Sequence, residues 1–368
     1  MSVSLKPIMT SNGGFKRAQA FAGRHLLLQV DPLQYPGWDS LLTAHADRSV
    51  FHTAAWARVL VDTYGHEPAY FTHFYGGDLV GLLPVMKVSS PFLGRRAVSL
   101  PFTDFCNMLA GREANRSELY KLAFQWARES GCRYIEFRGN GSPLSEAAPS
   151  LVFYGHVINL RHGLESLFDK LDGAVRRGIR KAQESGVEID FGTDTEAVRV
   201  FYGLHCRTRR RHGLPPQPYG FFRNIAQYVL QHGLGFVATA RWRGRPIASA
   251  IFLHHGRRAI YKYGASDYAF QQLRPNNLLM WRAIEWFAEH RFDTLHLGRT
   301  SLANDGLRRF KLGFGAQEEK IAYYKFDMAR GAFVTEADGA EGWYNRIFQK
   351  LPVPVLRLIG ALLYPHVS

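Results

Sequence analysis

The feature that most restricts the fold is an order of elements that occurs twice. Tyr70-Phe-Thr-His-Phe-Tyr75, the turn Gly76-Gly77-Asp78 and Leu79-Val-Gly-Leu-Leu-Pro-Val-Met-Lys87 read as a β-hairpin. In the helix that follows, Asn115 and Glu118 have capping-box spacing, Leu119, Leu122, Ala123, Trp126 and Ala127 recur at helical spacing, and Gly131 ends the run. Cys132-Arg-Tyr-Ile-Glu-Phe137 is then a strand. The second half repeats the order. Its hairpin is Gly235 to Trp242, the turn Arg243-Gly244-Arg245, and Pro246 to Leu253, followed by a strand from Arg258 to Gly264. Asn276 or Asn277 is placed to cap a helix through Leu279, Ala283, Ile284, Phe287 and Ala288, and Thr294-Leu-His-Leu297 is again a strand. Two copies of one mixed α/β unit are the economical reading. The competing one is that such hairpins recur by chance in any α/β protein.

The 368 residues, 46% of them hydrophobic, suffice for two cored domains. The boundaries expected are a disordered tail at 1–20, a first domain at 21–160, a second at 161–335 that carries the active site, and an amphipathic extension at 336–368. Ahead of the first hairpin, Thr53 to Tyr64 reads as a helix stopped by Gly65. At the junction, Leu164, Leu167, Phe168, Leu171, Val175, Ile179 and Ala182 mark one helix running to Gly186, with Arg176, Arg177, Arg180 and Lys181 near its end. Thr195 to Arg211 is another helix, closed by Pro215-Pro216-Gln217-Pro218.

A formal net charge of +15 predicts a surface that attracts phosphates, nucleic acid or acidic headgroups, without naming any of them. Three cysteines with no C-x-x-C pair argue against a disulfide framework and a structural zinc site, so a reducing cytoplasm and no metal are expected. The polar first 20 residues lack the apolar core of an export signal. Leu351 to Pro365 is apolar but shorter than the roughly 20 residues that span a bilayer, and Pro352, Pro354 and Arg357 interrupt it. Two placements stay open for it: docking on the protein's own core, and peripheral membrane contact with Arg346, Lys350 and Arg357 at the headgroups.

No H-E-x-x-H, Walker loop, G-x-G-x-x-G or G-x-S-x-G is present, which weakens metallopeptidase, kinase and serine-hydrolase readings. Polar residues instead gather where strand ends are expected in the second half: Tyr261 to Ser266, Pro275-Asn276-Asn277, Gly298-Arg299-Thr300 and Phe310 to Gly315. Lys311, ahead of glycines that let a ligand approach, is suited to neutralise a phosphate or a developing oxyanion, or else is a snorkelling surface lysine. Arg299 offers a fork of donors to an anion, though a structural salt bridge is the commoner use. Tyr261 and Tyr263 flank Lys262 and are expected on one strand face, one of them in a cleft. Asp104, in Pro101-Phe-Thr-Asp-Phe-Cys-Asn107, is placed to orient an amine or accept its proton, with an Asx turn as the plainer reading. The arginine clusters are solvated faces or phosphate footprints, and His254-His255 is given no role.

In this order, Arg176-Arg-Gly-Ile-Arg-Lys-Ala182 with Gly186-Val187, Tyr263-Gly-Ala-Ser266, Pro275-Asn-Asn-Leu-Leu279, Leu297-Gly-Arg-Thr300 and Gly306-Leu-Arg-Arg-Phe-Lys-Leu-Gly-Phe-Gly315 resemble the FemAB-like branch of the GNAT N-acetyltransferase superfamily. The likeness spans about residues 25 to 330. The tail, Leu351-Pro-Val-Pro with Leu358-Ile-Gly360, looks like the subgroup associated with exosortase and exopolysaccharide clusters.

The resemblance implies tandem duplicated GNAT-like acyltransferase domains and an aminoacyl or acyl transfer, from aminoacyl-tRNA or acyl-CoA, to an amine of a lipid-linked or small envelope precursor. It implies no resident cofactor and no covalent enzyme intermediate. Lys311 matches the lysine of the transfer step, while Tyr263 and Arg180 match acceptor or phosphate binders, with Ser266, Asn276 and Arg299 beside them. Two departures stand out. Asp267 to Arg274 lacks the Q/R-x-x-G-x-G/A run that holds the pyrophosphate of coenzyme A, which disfavours acetyl-CoA, and the long helical arm of some members is missing. The alternative function is a non-catalytic GNAT-fold binder of nucleic acid or glycan.

Overall fold

The computed structural model describes residues 25–139, 147–336 and 343–367; the tail expected at 1–20 lies outside the described residues. Its strands are β1 (His25–Val30), β2 (Glu67–Tyr75), β3 (Asp78–Ser90), β4 (Gly94–Val98), β5 (Leu109–Ala110), β6 (Cys132–Arg138), β7 (Leu151–Asn159), β8 (Val187–Gly192), β9 (Gly235–Trp242), β10 (Arg245–His255), β11 (Arg258–Ser266), β12 (Thr294–His296), β13 (Thr300–Ser301), β14 (Gln317–Asp327) and β15 (Ala332–Phe333). Its α-helices are α1 (Trp38–Leu41), α2 (Ala54–Tyr64), α3 (Arg116–Glu129), α4 (Leu164–Asp169), α5 (Gly173–Glu184), α6 (Thr195–Arg211), α7 (Tyr219–Tyr228), α8 (Pro275–Glu289), α9 (Asp305–Leu312), α10 (Trp343–Lys350) and α11 (Val353–Leu363).

The strands join in one mixed sheet, ordered β1-β2-β3-β4-β6-β14-β7-β12-β11-β10-β9-β8. Strand alternation sends neighbouring residues to opposite faces, each with its own core. Leu82 enters a core with Trp56, Leu60, Phe201, Phe221 and Phe222, carried by α2, α6 and α7. Leu83 enters another, under Leu119 and Ala123 of α3. In the second half, Ile251 joins the first core and Phe252 a third, under Ile179 of α5 and Leu279 and Ile284 of α8. The first core therefore spans both halves.

The halves also interlock within the sheet. β7 pairs antiparallel with β12 and β13, while β14 enters between β6 and β7, with Tyr323 opposite Arg138 and Ile321 opposite Phe153.

Local signals explain the helix ends. Thr53 Oγ1 accepts from the Trp56 amide and Gly65 closes α2 at φ 68°, where a side chain would be strained. Asn115 Oδ1 accepts from the Glu118 amide at the start of α3.

Three expectations are corrected. The single junction helix is two, α4 and α5, because the Asp172 amide turns away to donate to the Gly313 carbonyl (2.9 Å). Asn276 does not cap α8: Arg274 holds that position at φ 55°, and Pro275, whose ring fixes a helical φ and whose missing N–H costs nothing there, is the first residue. Lys311 lies in the last turn of α9, not at a strand end.

Candidate active site

The site begins with a mismatch of strand lengths. β11 pairs parallel with β12 only from Arg258↔Thr294 to Ile260↔His296, and β11 continues to Ser266 with no strand on that side among the described residues. Against β10, Tyr263 lies opposite Ile251 and Tyr261 opposite Phe252, so Lys262 is an extra residue, a β-bulge. The bulge overturns the expectation that Tyr261 and Tyr263 share a face. Tyr261 packs on the core under α8, and Tyr263 on Phe221 and Phe222 across the sheet.

Into this divergence the first half inserts its loop after β4. Leu100 and Phe102, at φ 61° and 60°, hold the loop in left-handed conformations that non-glycine residues adopt at a cost of about 1 kcal/mol or more each. Its Asp104 Oδ2 accepts from Lys262 Nζ (2.9 Å), both side chains being largely buried. The Tyr323 hydroxyl donates to the Asp104 carbonyl (2.6 Å) and accepts from Arg299 Nη1 (3.0 Å), whose guanidinium lies over Phe153. Phe105 packs against His296 with the rings tilted and their centroids 4.5 Å apart.

Lys311 closes the group. It is 2% exposed, and its Nζ donates to the Gly298 carbonyl (2.9 Å) and the Arg299 carbonyl (3.0 Å). Two of three ammonium hydrogens are thus used, leaving one for a ligand. Burial is the main reason its pKa falls to about 8, and the Lys262 and Arg299 charges push the same way against Asp104.

Asp104 is also shifted downward, but for a different reason. Burial raises its pKa, but Lys262, Arg299 and Lys311 together outweigh that and hold it below the usual carboxylate value. Burial lowers Lys262 in spite of Asp104. Asp104 is therefore a persistent anion and a weak base, suited to holding a cationic amine.

Beyond the ion pair lies an aromatic wall. Lys262 Nζ sits 4.7 Å from the Tyr263 ring centroid, and the hydroxyls of Tyr263 and of Tyr64, from α2, are buried without hydrogen-bond partners among the described residues. Burial first, then the nearby Asp104 charge, raises the Tyr263 pKa. Such orphaned hydroxyls suit a polar ligand that enters between the halves.

Asp104, Lys311, Arg299 and Tyr263 are thus brought together. Ser266 lies at the far end of β11, where its amide donates to Thr208 Oγ1 (3.0 Å) of α6. Asn276 is in the first turn of α8, and Arg180 is on the exposed face of α5. Among the described residues, no hydrogen bond or ion pair joins either to the Asp104 group. Three residues of the group escaped sequence reasoning: Lys262, Tyr323 and the fully buried His156. His156 Nε2 is 3.4 Å from Glu318 Oε2, yet neither ring nitrogen makes a hydrogen bond among the described residues, and burial with the Lys311 charge lowers its pKa to about 4. A hydrophilic residue between two tyrosines was the one available signal for Lys262.

The sequence of residues 170–321 matches the acetyltransferase (GNAT) domain family. The second half is a GNAT-type acyltransferase domain. A search of curated proteins finds no match. Among solved structures, that of FemX superposes with a TM-score of 0.64 at 13% identity, covering 83% of this chain and 98% of that one. The C-terminal domain of a putative lysylphosphatidylglycerol synthetase from Agrobacterium fabrum gives 0.53 at 15% identity, over 84% and 92%. A tandem GNAT protein from the clavulanic acid biosynthesis pathway gives 0.51 at 12%, over 86% and 100%. At these identities the likeness concerns the fold, which is a tandem GNAT fold. Within the GNAT domain, β11 and β12 provide the diverging strands and α9 provides Lys311.

Proposed function

We propose that the chain transfers an aminoacyl or acyl group from an activated donor to an amine of a cell-envelope or exopolysaccharide precursor. The observation that carries this is the buried group at the strand divergence, an anion (Asp104) and a half-committed cation (Lys311) that both stand beside Gly298. The acceptor amine, in its neutral form and with one N–H donated to Asp104, attacks the donor carbonyl carbon. The oxyanion that forms accepts a hydrogen bond from the third Lys311 N–H, which keeps its proton; the bond from carbon to the donor's oxygen or sulfur then breaks, and the leaving atom receives the proton that the amine gives up.

Aminoacyl-tRNA is the favoured donor. Where a coenzyme A pyrophosphate would need a run of free amides, Tyr268–Leu273 is a 3-10 turn whose amides are partly bonded within it, and Pro275 removes one donor from the start of α8. The resemblance to the FemAB-like branch supports the same choice. FemX and a protein named for lysylphosphatidylglycerol, an aminoacylated lipid, are among the similar structures.

Incubating the purified chain with labelled charged tRNA or labelled acyl-CoA, and with an amine-bearing muropeptide precursor, tests the proposal. Transfer is expected from the tRNA and is expected to vanish in Lys311→Ala. No transfer from either donor would sink it. A non-catalytic nucleic-acid binder, the reading favoured by the exposed Arg177, Arg180 and Lys181, predicts instead salt-sensitive binding that Lys311→Ala leaves intact.

A further inference from the structure

The C-terminal extension presents two apolar faces. Leu356 and Gly360 of α11 are buried, Gly360 so close to the Pro216 carbonyl that a side chain would collide with it, and Tyr364, one turn on, accepts from Arg209 Nη2 (2.9 Å). That stripe fastens the helix to α6 and the loop after it. The opposite stripe is apolar as well: Leu358 and Leu362 are each 63% exposed and Val355 42%. A helix apolar on both sides has one face left to cover.

A second element comes to the same place. The turn between β3 and β4 holds Phe92 81% exposed, with Leu93 beside it. Phe92 and His366 rings are 5.6 Å apart, and Arg96 Nη2 donates to the His366 carbonyl (2.6 Å), so this tip meets the chain end just after α11. Residues 343–367 and 88–98 contain no Asp or Glu. Exposed Arg346, Lys350 and Arg357 accompany the helices, and Arg95 and Arg133 stand at the base of the tip.

We propose that α11 and the Phe92–Leu93 tip form one membrane-docking face, seated in the interface of an anionic bilayer. The exposed apolar residues enter the acyl boundary, and the arginines and Lys350 meet lipid phosphates. The charge decides the occupant: a face with cations at its rim and no carboxylate in either segment complements anionic headgroups. The inference is independent of the transfer reaction.

The full chain is sedimented with vesicles of phosphatidylglycerol and phosphatidylcholine, and with phosphatidylcholine alone. Binding to the anionic vesicles is expected, weakened by salt, and lowered about tenfold or more by Leu358→Gln with Leu362→Gln, and likewise by Phe92→Ser. These side chains are exposed, so an unchanged melting temperature in the variants separates lost docking from misfolding. Because the three native cysteines are buried, a polarity-sensitive dye can be placed on Phe92→Cys alone, and a blue shift with anionic vesicles is expected. Absence of binding, equal binding by the variants, or equal binding to neutral vesicles overturns the proposal. So does a concentration-dependent dimer abolished by the same substitutions, which would assign the face to a second copy.

Discussion

The two halves share one order of elements and diverge at the same point, the strand that follows the hairpin. In the first half that strand, β4, stops at Val98, where it pairs with Glu136 of β6, and the chain leaves through two left-handed residues toward the other half. In the second half the strand, β11, outruns its partner, bulges at Lys262 and turns Tyr263 toward the junction. One copy gives up length to export a loop, and the other gains length to receive it. Duplication supplied the scaffold, and unequal strand ends supplied the site. Asp104 and Lys262 are the two sides of that exchange.

The largest effect should come from breaking the exchange. Asp104→Ala or Lys262→Ala leaves a buried charge unpaired, and each is expected to cost about 3–5 kcal/mol in denaturant unfolding. The double variant Asp104→Leu/Lys262→Met should recover most of that loss while remaining inactive. Additive losses would mean that the pair does not couple the halves.

The next effect is a pH dependence specific to the second half. An unfolded lysine keeps its proton to about 10.5, whereas buried Lys311 releases it near 8. Between those values the unfolded state binds more protons, so stability rises with pH, and the penalty is complete below 8. Relative to Lys311→Met, the wild type should gain about 3 kcal/mol of unfolding free energy from pH 7 to 10.5. Parallel curves for the two proteins would remove the buried cation from the account of the site.

The smallest effect sharpens the comparison at the divergence itself. Gly298, at φ 73°, has room for a Cβ only 3.2 Å from the Tyr261 carbonyl and 3.6 Å from Asp104 Oδ1. Gly298→Ala is expected to cost about 1–2 kcal/mol and to lower turnover more than that loss of folded protein explains. A variant of unchanged turnover would place the reacting atoms elsewhere.

The hairpins, α2, α3 and α6 were legible in the sequence because their signals are local: alternation, caps and glycine stops. β7 and β14 were not read. β14 opens on Gln317-Glu-Glu-Lys, whose polarity suits a loop, and its partners lie about residues 134–157, far outside any sequence window. At the site, Lys311, Arg299, Tyr263 and Asp104 stood out by residue type and company. The bulge at Lys262 did not, since one extra residue in a strand leaves no mark until its neighbour's register is known. Asn276 was misread because α8 starts on a left-handed arginine, which no capping preference anticipates.

The position of β14 also bears on how the chain is made. β6 and β7 are complete by residue 159, yet the strand that belongs between them ends at Asp327. During synthesis the N-terminal half therefore waits, with two strand edges uncovered, until Asp327 has left the ribosome. Such edges recruit foreign strands. A fragment ending near residue 160 should accordingly aggregate rather than fold, and adding residues 317–327 in trans is the direct means of rescuing it.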